Sequence, residues 1–421
     1  MVIRLFVQGS AHQPGRDVIF CYEAIRQGYV KEEADPFMKG AIAVLRFTNG
    51  IVYLDGRWQT GLDILAEDDK IADIKPAGTG FEGYTIDVQG GYLVPGFIDI
   101  HIHGSNGSDV MDARIESLEN ISNFLAKKGT TSWLATTMTV GIDHIRHSLK
   151  VVSEYMDTEH TGAQVLGVHL EGPFLSPRAK GAHAEEHILS PSVEAYMSIV
   201  DGIPDIVRLV TIAPEEGEAL ELVRFLRERG ITPSLGHTKG SYDQCSLAIK
   251  AGMNHACHFY NAMTPLNHRE PGAVGAILDN DSVTIELIAD LIHVHPAALR
   301  LAHKVKGRDR VVLITDAMVA AGLDDGEYEL GGIPVCVRGG RAAQEDGTLA
   351  GSTLTQDRAL RNMIQIGVPS EDVIAMLTET PARQIGAGAY KGRLNAGYDA
   401  DINILDQEFN VVATYIKGQA V

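Results

Sequence analysis

The chain has 421 residues, 45% of them hydrophobic and 22% charged, with 44 glycines and a formal net charge of −19. That composition suits a soluble globular protein with ample core material, and a single barrel with appendages can absorb the length. So large a negative charge excludes binding driven by a nucleic-acid backbone, and an anionic ligand would need a locally basic pocket. Cys21, Cys245, Cys257 and Cys336 are scattered without CxxC spacing, which fits a reducing cytoplasm rather than a disulfide framework. No apolar run reaches the length of a signal-peptide core or a membrane span, so no membrane association is expected.

Residues 1–40 have no clear period and end in the charged stretch Lys31-Glu32-Glu33-Ala34-Asp35. They read as an N-terminal extension, the first 37 residues being an appendage or lying upstream of the true start. Residues 41–91 read as short strands, with Asn49-Gly50 between two apolar runs as a hairpin signal. The other end, 371–421, is similar: DADINILD and FNVVATYIKGQAV alternate between polar turns. Both ends are therefore expected to build one small β-sandwich domain.

The middle, 92–370, alternates strands with amphipathic helices. The strand VLGVHL (165–170), the helix EALELVRFLRERG (218–230), the strand ITPSLGH (231–237) and the helix SYDQCSLAIKAG (241–252) set the rhythm. NHACHF (254–259), HPAALRLAHKV (295–305) and VVLITD (311–316) continue it. Leu220, Val223 and Leu226 form the apolar stripe of one helix. Such alternation means parallel strands in βαβ units. The expected fold is α/β, a (β/α)8 TIM-like barrel, with a doubly wound open sheet as the alternative.

Polar residues gather at the C-terminal ends of these strands, the face on which (β/α)8 barrels carry their active sites. His101 and His103 follow PGFIDI, His169 and Glu171 follow VLGV, His237 ends ITPSLG, His258 ends NHAC, and Asp316 ends VVLIT. In a strand, residues i and i+2 share a side, so His101 and His103 can reach one ion. Imidazoles with a carboxylate suit Zn²⁺ or Fe²⁺ with a position open for water. On residue type alone, Asp316 equally suits a helix cap, Arg269 a surface ion pair and His183 an ordinary loop histidine. His255, His268 and His295 read as structural or solvent-facing. Cys257, beside His258, reads as packing on the opposite side of its strand. Walker A and GxSxG motifs are absent, so P-loop nucleotide use and serine hydrolysis have no support.

PGFIDIHIHG, HLEGPF, GHT, HFYNAM, REPG, LITDAM and GTLAGSTLT, in that order over about residues 41–421, resemble the N-acetylglucosamine-6-phosphate deacetylases of the amidohydrolase superfamily. HLEGPF, HFYNAM and REPG carry the resemblance to this family, whereas HxH and TDA belong to the whole superfamily. The resemblance implies hydrolysis of the N-acetyl group of a small amino-sugar phosphate by a homodimer with one or two divalent metals, Zn or Fe, per subunit. It implies Glu171, His237 and His258 as the principal metal site, and His101 and His103 as ligands of a second metal bridged by Glu171. It implies Asp316 as general base and acid and His183 as the group that polarises the acetyl carbonyl. Ala182 and His293 are implied as substrate contacts, and Asn261 and Ala262 as the phosphate site together with Arg269 lent by a partner subunit. Two alternatives stand beside this reading: a deacetylase for another N-acetylhexosamine 6-phosphate, such as the galactosamine epimer, and a catalytically inactive scaffold.

Overall fold

A computed structural model describes residues 44–81 and 83–421, together with the short strands Val2–Arg4, Phe6–Val7 and Ile19–Cys21. Most of the expected extension over residues 1–40 lies outside the described residues. Two compact units divide the chain, one of residues 1–96 and 389–421, the other of residues 97–388.

The larger unit is a (β/α)8 barrel. Its strands are β1 (Phe97–Ile102), β2 (Thr130–Thr136), β3 (Gln164–Leu170), β4 (Val207–Ile212), β5 (Thr232–Leu235), β6 (His255–Ala256), β7 (Thr284–Ile288) and β8 (Val311–Ile314). Each pairs in parallel with the next in chain order. Helices α1 (Ile115–Ala126), α2 (Ile142–Met156), α3 (Val193–Val200) and α4 (Ala219–Glu228) follow the first four strands. α5 (Tyr242–Ala251), α6 (Gly272–Leu278), α7 (Pro296–Lys306) and α8 (Gln356–Gln365) follow the last four. α4 buries Val223 and Leu226 of the expected stripe together with Leu222, whereas Leu220 is only half-buried, and α5 begins with a reciprocal cap between Ser241 and Gln244.

No strand ladder joins β1 to β8; a buried side chain and a few backbone bonds close the seam. The buried Asp99 carboxylate accepts the Thr315 hydroxyl at 2.6 Å and the backbone N–H groups of Thr315 and His101 at 3.3 Å. Backbone bonds cross the same seam at its upper end: Asp316 N–H to the His101 carbonyl at 2.8 Å, and the His103 and Gly104 N–H groups to the Ala317 carbonyl at 2.9 and 3.0 Å. An antiparallel insert of three strands, Gly326–Leu330, Ile333–Arg338 and Arg341–Ala343, separates β8 from α8.

Residues 371–388 belong to the barrel unit rather than to the β-rich end. They lie in α9 (Ser370–Leu377) and α10 (Glu379–Gln384), and α9 buries Val373, Ile374, Met376 and Leu377. Thr380 Oγ1 donates to the Arg308 carbonyl, and Thr232 Oγ1 to the Gln384 carbonyl, tying α10 to the strands.

The smaller unit stacks a six-stranded sheet and a five-stranded sheet. Phe47, Val52, Ile64, Ile71, Leu93, Ile402 and Ile404 fill its core. Both chain ends contribute, since Tyr92–Pro95 pairs antiparallel with Ile402–Leu405. The runs around Asn49-Gly50 do not form the expected hairpin. Val44–Thr48 pairs with Leu62–Glu67 in one sheet, and Ile51–Leu54 pairs with Arg57–Gln59 in the other. A two-residue type I′ turn needs positive φ at both central residues, and only Asn49, at 57°, has it. Gly50 is required for space instead: an added Cβ would lie 3.1 Å from Val88 Cγ1.

Beside this core, Lys391 Nζ lies 2.8 Å from Asp399 and 2.6 Å from Asp401, and Lys70 Nζ lies 2.5 Å from Asp399. Burial alone would lower Lys391 and raise Asp399, but the pairing outweighs it and holds Lys391 above and Asp399 below their ordinary ranges. Among the described residues no helix is long and apolar enough to cross a membrane.

Replacing Lys391 with Met leaves Asp399 with Lys70 alone and buried Asp401 without a lysine, and about 3–5 kcal/mol of stability is expected to be lost. Chemical denaturation of both proteins reads the difference. The stabilisation in the wild type is present above the ordinary carboxylate value and fades as pH falls through the lowered value of Asp399. It is present below the ordinary lysine value and fades as pH rises through the raised value of Lys391. The Lys391→Met difference should therefore shrink at both extremes.

Candidate active site

Six of the expected residues gather around a seventh, Glu171, just past the end of β3. Its Oε1 lies 3.0 Å from His258 Nε2 and 3.3 Å from His237 Nε2. Its Oε2 lies 3.2 Å from His103, 3.4 Å from His101 and 3.5 Å from His183, in each case at Nε2. Asp316 Oδ1 stands 3.3 Å from His103 and 3.7 Å from His101. All seven are buried. Strand alternation brings His101 and His103 to one side, as their spacing predicts.

The other ligand-type residues need special backbone. His237, His258 and Asp316 sit just beyond β5, β6 and β8 with φ of 46°, 23° and 49°. For residues bearing a Cβ this left-handed region costs on the order of 1–3 kcal/mol each, a strain characteristic of functional sites. The positive φ at His258 also ends the strand pattern before Cys257. Cys257 does not point away as expected: its Sγ lies 3.6 Å from His258 Nε2. Gly236 makes room for it, because a Cβ there would collide with the Cys257 sulfur.

Hydrogen bonds fix the rings. His101 Nδ1–H donates to Glu286 Oε2 at 2.8 Å and His237 Nδ1–H to the Ala179 carbonyl at 2.9 Å. Both rings therefore present Nε2 lone pairs to the centre. His183 is the opposite case, since its Nδ1 accepts the Thr139 N–H at 3.3 Å. Burial pushes His183 down to about 4, with the charge of His237 adding to it despite Glu171. The neutral ring thus carries its proton on Nε2, facing the site.

This arrangement demands positive charge. Burial alone would lower His101 and His103, yet the surrounding carboxylates hold His101 well above the imidazole range and His103 up to about 9. Burial would likewise raise Glu171 and Asp316, but the imidazoles hold Glu171 well below its usual range and Asp316 down to about 2. His237 Nε2 and His258 Nε2 face each other at 2.9 Å, and buried His101 Nε2 has no hydrogen-bond partner. His101, His103 and Glu171 form one group able to hold a cation, and Glu171, His183 and His237 another. Imidazoles sharing a central carboxylate suit a divalent metal ion.

The site floors a cavity of about 560 Å³. Ala182, Asn261, Ala262 and His293 line it, as do Arg178, Lys180 and Lys239. His293 is held by Asp290, whose carboxylate accepts Nδ1–H at 2.7 Å and the backbone N–H at 2.8 Å. Arg269 is not brought to the cavity by its own chain. It is exposed in the loop after Met263, with Nη1 2.9 Å from His268 Nε2. His295 caps α7, accepting the Ala297 N–H at 3.1 Å. Glu286 and Asp290 are the groups that strand-end reasoning missed. Glu286 sits inside β7, where the one signal was a charged residue amid buried positions, and Asp290 lies two residues past its end.

The amidohydrolase family model matches residues 92–421. The chain is 43% identical over 344 residues to N-acetylglucosamine-6-phosphate deacetylase of Bacillus subtilis (strain 168), covering 80% of this chain and 87% of that protein. It is 40% identical over 328 residues to N-acetylgalactosamine-6-phosphate deacetylase of Escherichia coli O157:H7, with coverages of 78% and 87%. The crystal structure of N-acetylglucosamine-6-phosphate deacetylase from Pasteurella multocida superposes with a TM-score of 0.86 at 34% identity, covering 90% of this chain and 99% of that one. This chain belongs to the N-acetylglucosamine-6-phosphate deacetylases of the amidohydrolase family.

A cation held by these residues stabilises the folded state by mass action, about 2.7 kcal/mol at a hundredfold excess over its dissociation constant. Chelator treatment is expected to lower the melting temperature, and titrating Zn²⁺ back should restore it. An identical melt with and without chelator would remove the metal from the site.

Proposed function

We propose that this chain hydrolyses the N-acetyl group of N-acetylglucosamine 6-phosphate, releasing acetate and glucosamine 6-phosphate in amino-sugar catabolism. One observation carries the reading: Asp316 and the Nε2–H of His183 face the same imidazole–carboxylate centre, beneath a cavity lined by Asn261, Ala262 and His293. Glu171, His237 and His258 would hold one Zn²⁺ or Fe²⁺ ion, and His101 and His103 a second with Glu171 between them. A bound ion of this kind supplies a water whose pKa lies near 7 and a Lewis acid for the acetyl oxygen.

The chain's own residues do the rest. Asp316, kept ionised by the imidazoles around it, accepts the proton of the attacking water and delivers it to the leaving amine. His183 donates its Nε2–H to the acetyl oxygen, where negative charge develops. His293, fixed by Asp290, offers its remaining ring nitrogen to a sugar hydroxyl. Ala182 contacts the substrate, and Asn261 and Ala262 receive the phosphate. Arg269, exposed and pointing to no carboxylate among the described residues, would reach the phosphate of a neighbouring subunit in a homodimer.

Acetate release from the sugar phosphate tests the roles. Asp316→Asn is expected to lower kcat by about 10²–10⁴, and His183→Ala by about 10²–10³. Full activity in the first variant would remove the base. Parallel kinetics with the galactosamine epimer decides the sugar, a tenfold or greater preference for it overturning the glucosamine assignment. The trans role of Arg269 has its own assay. Asp316→Asn and Arg269→Ala proteins, each feeble alone, should regain activity when mixed, because a mixed dimer holds one site free of both lesions. Failure of complementation in demonstrably mixed dimers would overturn the trans role of Arg269.

A further inference from the structure

The barrel interior below the site is polar where such barrels usually pack branched aliphatics. His169, Thr211, Ser234, His255 and Glu286, from β3 to β7, are each buried. Glu286 is central among them. Its Oε2 accepts both His101 Nδ1–H at 2.8 Å and the backbone N–H of His258 at 3.0 Å. Its Oε1 faces His255 Nε2 at 3.6 Å, and His255 Nδ1 lies 2.9 Å from Ser234 Oγ.

A carboxylate only accepts, so the Glu286 oxygen at 2.8 Å requires Nδ1–H on His101, which leaves the Nε2 lone pair for the centre. His255 Nε2 faces the other Glu286 oxygen at 3.6 Å, too long for a direct hydrogen bond, so His255 bears on Glu286 through packing and charge. The same Glu286 oxygen anchors the backbone of His258, the residue with the unusual φ of 23°. Three atoms along this floor, His255 Nε2, Glu286 Oε1 and His169 Nδ1, are buried without a hydrogen-bond partner. Burying such atoms unpaired is costly.

We propose that Glu286 and His255 are positioning residues for the metal centre: Glu286 fixes one ligand from each half of the centre, His101 and His258, and His255 fixes Glu286. This rests on the ligand set proposed above. Carboxylate partners of metal-bound histidines hold ring orientation and raise ligand basicity, and their loss costs about 10–100-fold in metal affinity.

The test uses the full-length protein and Zn²⁺ competed against a chromophoric chelator, with the visible spectrum of the Co²⁺ form as a second readout. Glu286→Gln keeps shape and removes charge; it is expected to bind Zn²⁺ about 10–100-fold more weakly and to shift the Co²⁺ bands. His255→Ala should weaken binding in the same direction by less. Because the two residues act in series, the double variant should bind no more weakly than Glu286→Gln alone. Melting of the metal-free proteins separates this from a merely structural role. Wild-type Zn²⁺ affinity and an unshifted Co²⁺ spectrum in Glu286→Gln would overturn the proposal. So would additive losses in the double variant, which would detach His255 from Glu286. A wild type that binds no Zn²⁺ would instead overturn the metal reading underneath.

Discussion

A carboxylate buried among five imidazoles is the constraint around which this barrel is organised. Taking Glu171 out of water costs several kcal/mol unless charge of the opposite sign replaces the solvent. The five histidines come from separate segments: two from the end of β1, one from the loop beyond β3 and one each beyond β5 and β6. Only parallel strands closing on themselves bring those ends to one place. The barrel therefore concentrates a demand for positive charge that single side chains cannot meet without protonation, and a divalent cation answers it. Protonated imidazoles would answer it too, at the expense of the lone pairs that make the centre useful.

The polar floor follows from the same constraint. A ring whose Nε2 must face the centre needs a defined partner at Nδ1, and that partner must lie deeper in the barrel. Glu286 meets this need for His101 and the Ala179 carbonyl meets it for His237, whereas His183 has its tautomer set the other way by Thr139. Two kinds of imidazole thus stand side by side, some presenting lone pairs and one presenting a hydrogen. Their difference is set entirely by what lies behind them.

Much of this was legible in the sequence because it depends on period and position. Alternation placed His101 and His103 on one side, and strand ends placed Glu171, His237, His258 and Asp316 together. What depended on local backbone was not legible. The Asn49-Gly50 pair reads as a hairpin, yet φ is positive at only one of the two residues and the chain passes between sheets. Cys257 should alternate away from His258, but the strand has already ended. Glu286 lay hidden because a charge within a buried strand declares that it has a partner without saying which, and Asp290, just past that strand, shows its role only through its bonds to His293. Residues 371–388 resembled the β-rich end only by proximity to it, and their helical packing against the barrel depends on contacts distant in the chain. Arg269 is placed by its own chain at the surface, so a role at a phosphate requires a second copy that one sequence does not display.

The seam held by Asp99 has a consequence for the order in which the barrel assembles. Seven of the eight strand junctions, those with ladders, join sequence neighbours, so each can form early at a small entropic cost. The eighth joins groups 216 residues apart, through Asp99 and Thr315. Chain closure over that distance comes before any reward, which makes the seam the natural last step. His101 and His103 stand on one side of it and Asp316 on the other. The centre is therefore completed by the same event that shuts the barrel, and an incompletely folded chain carries its ligands without its base.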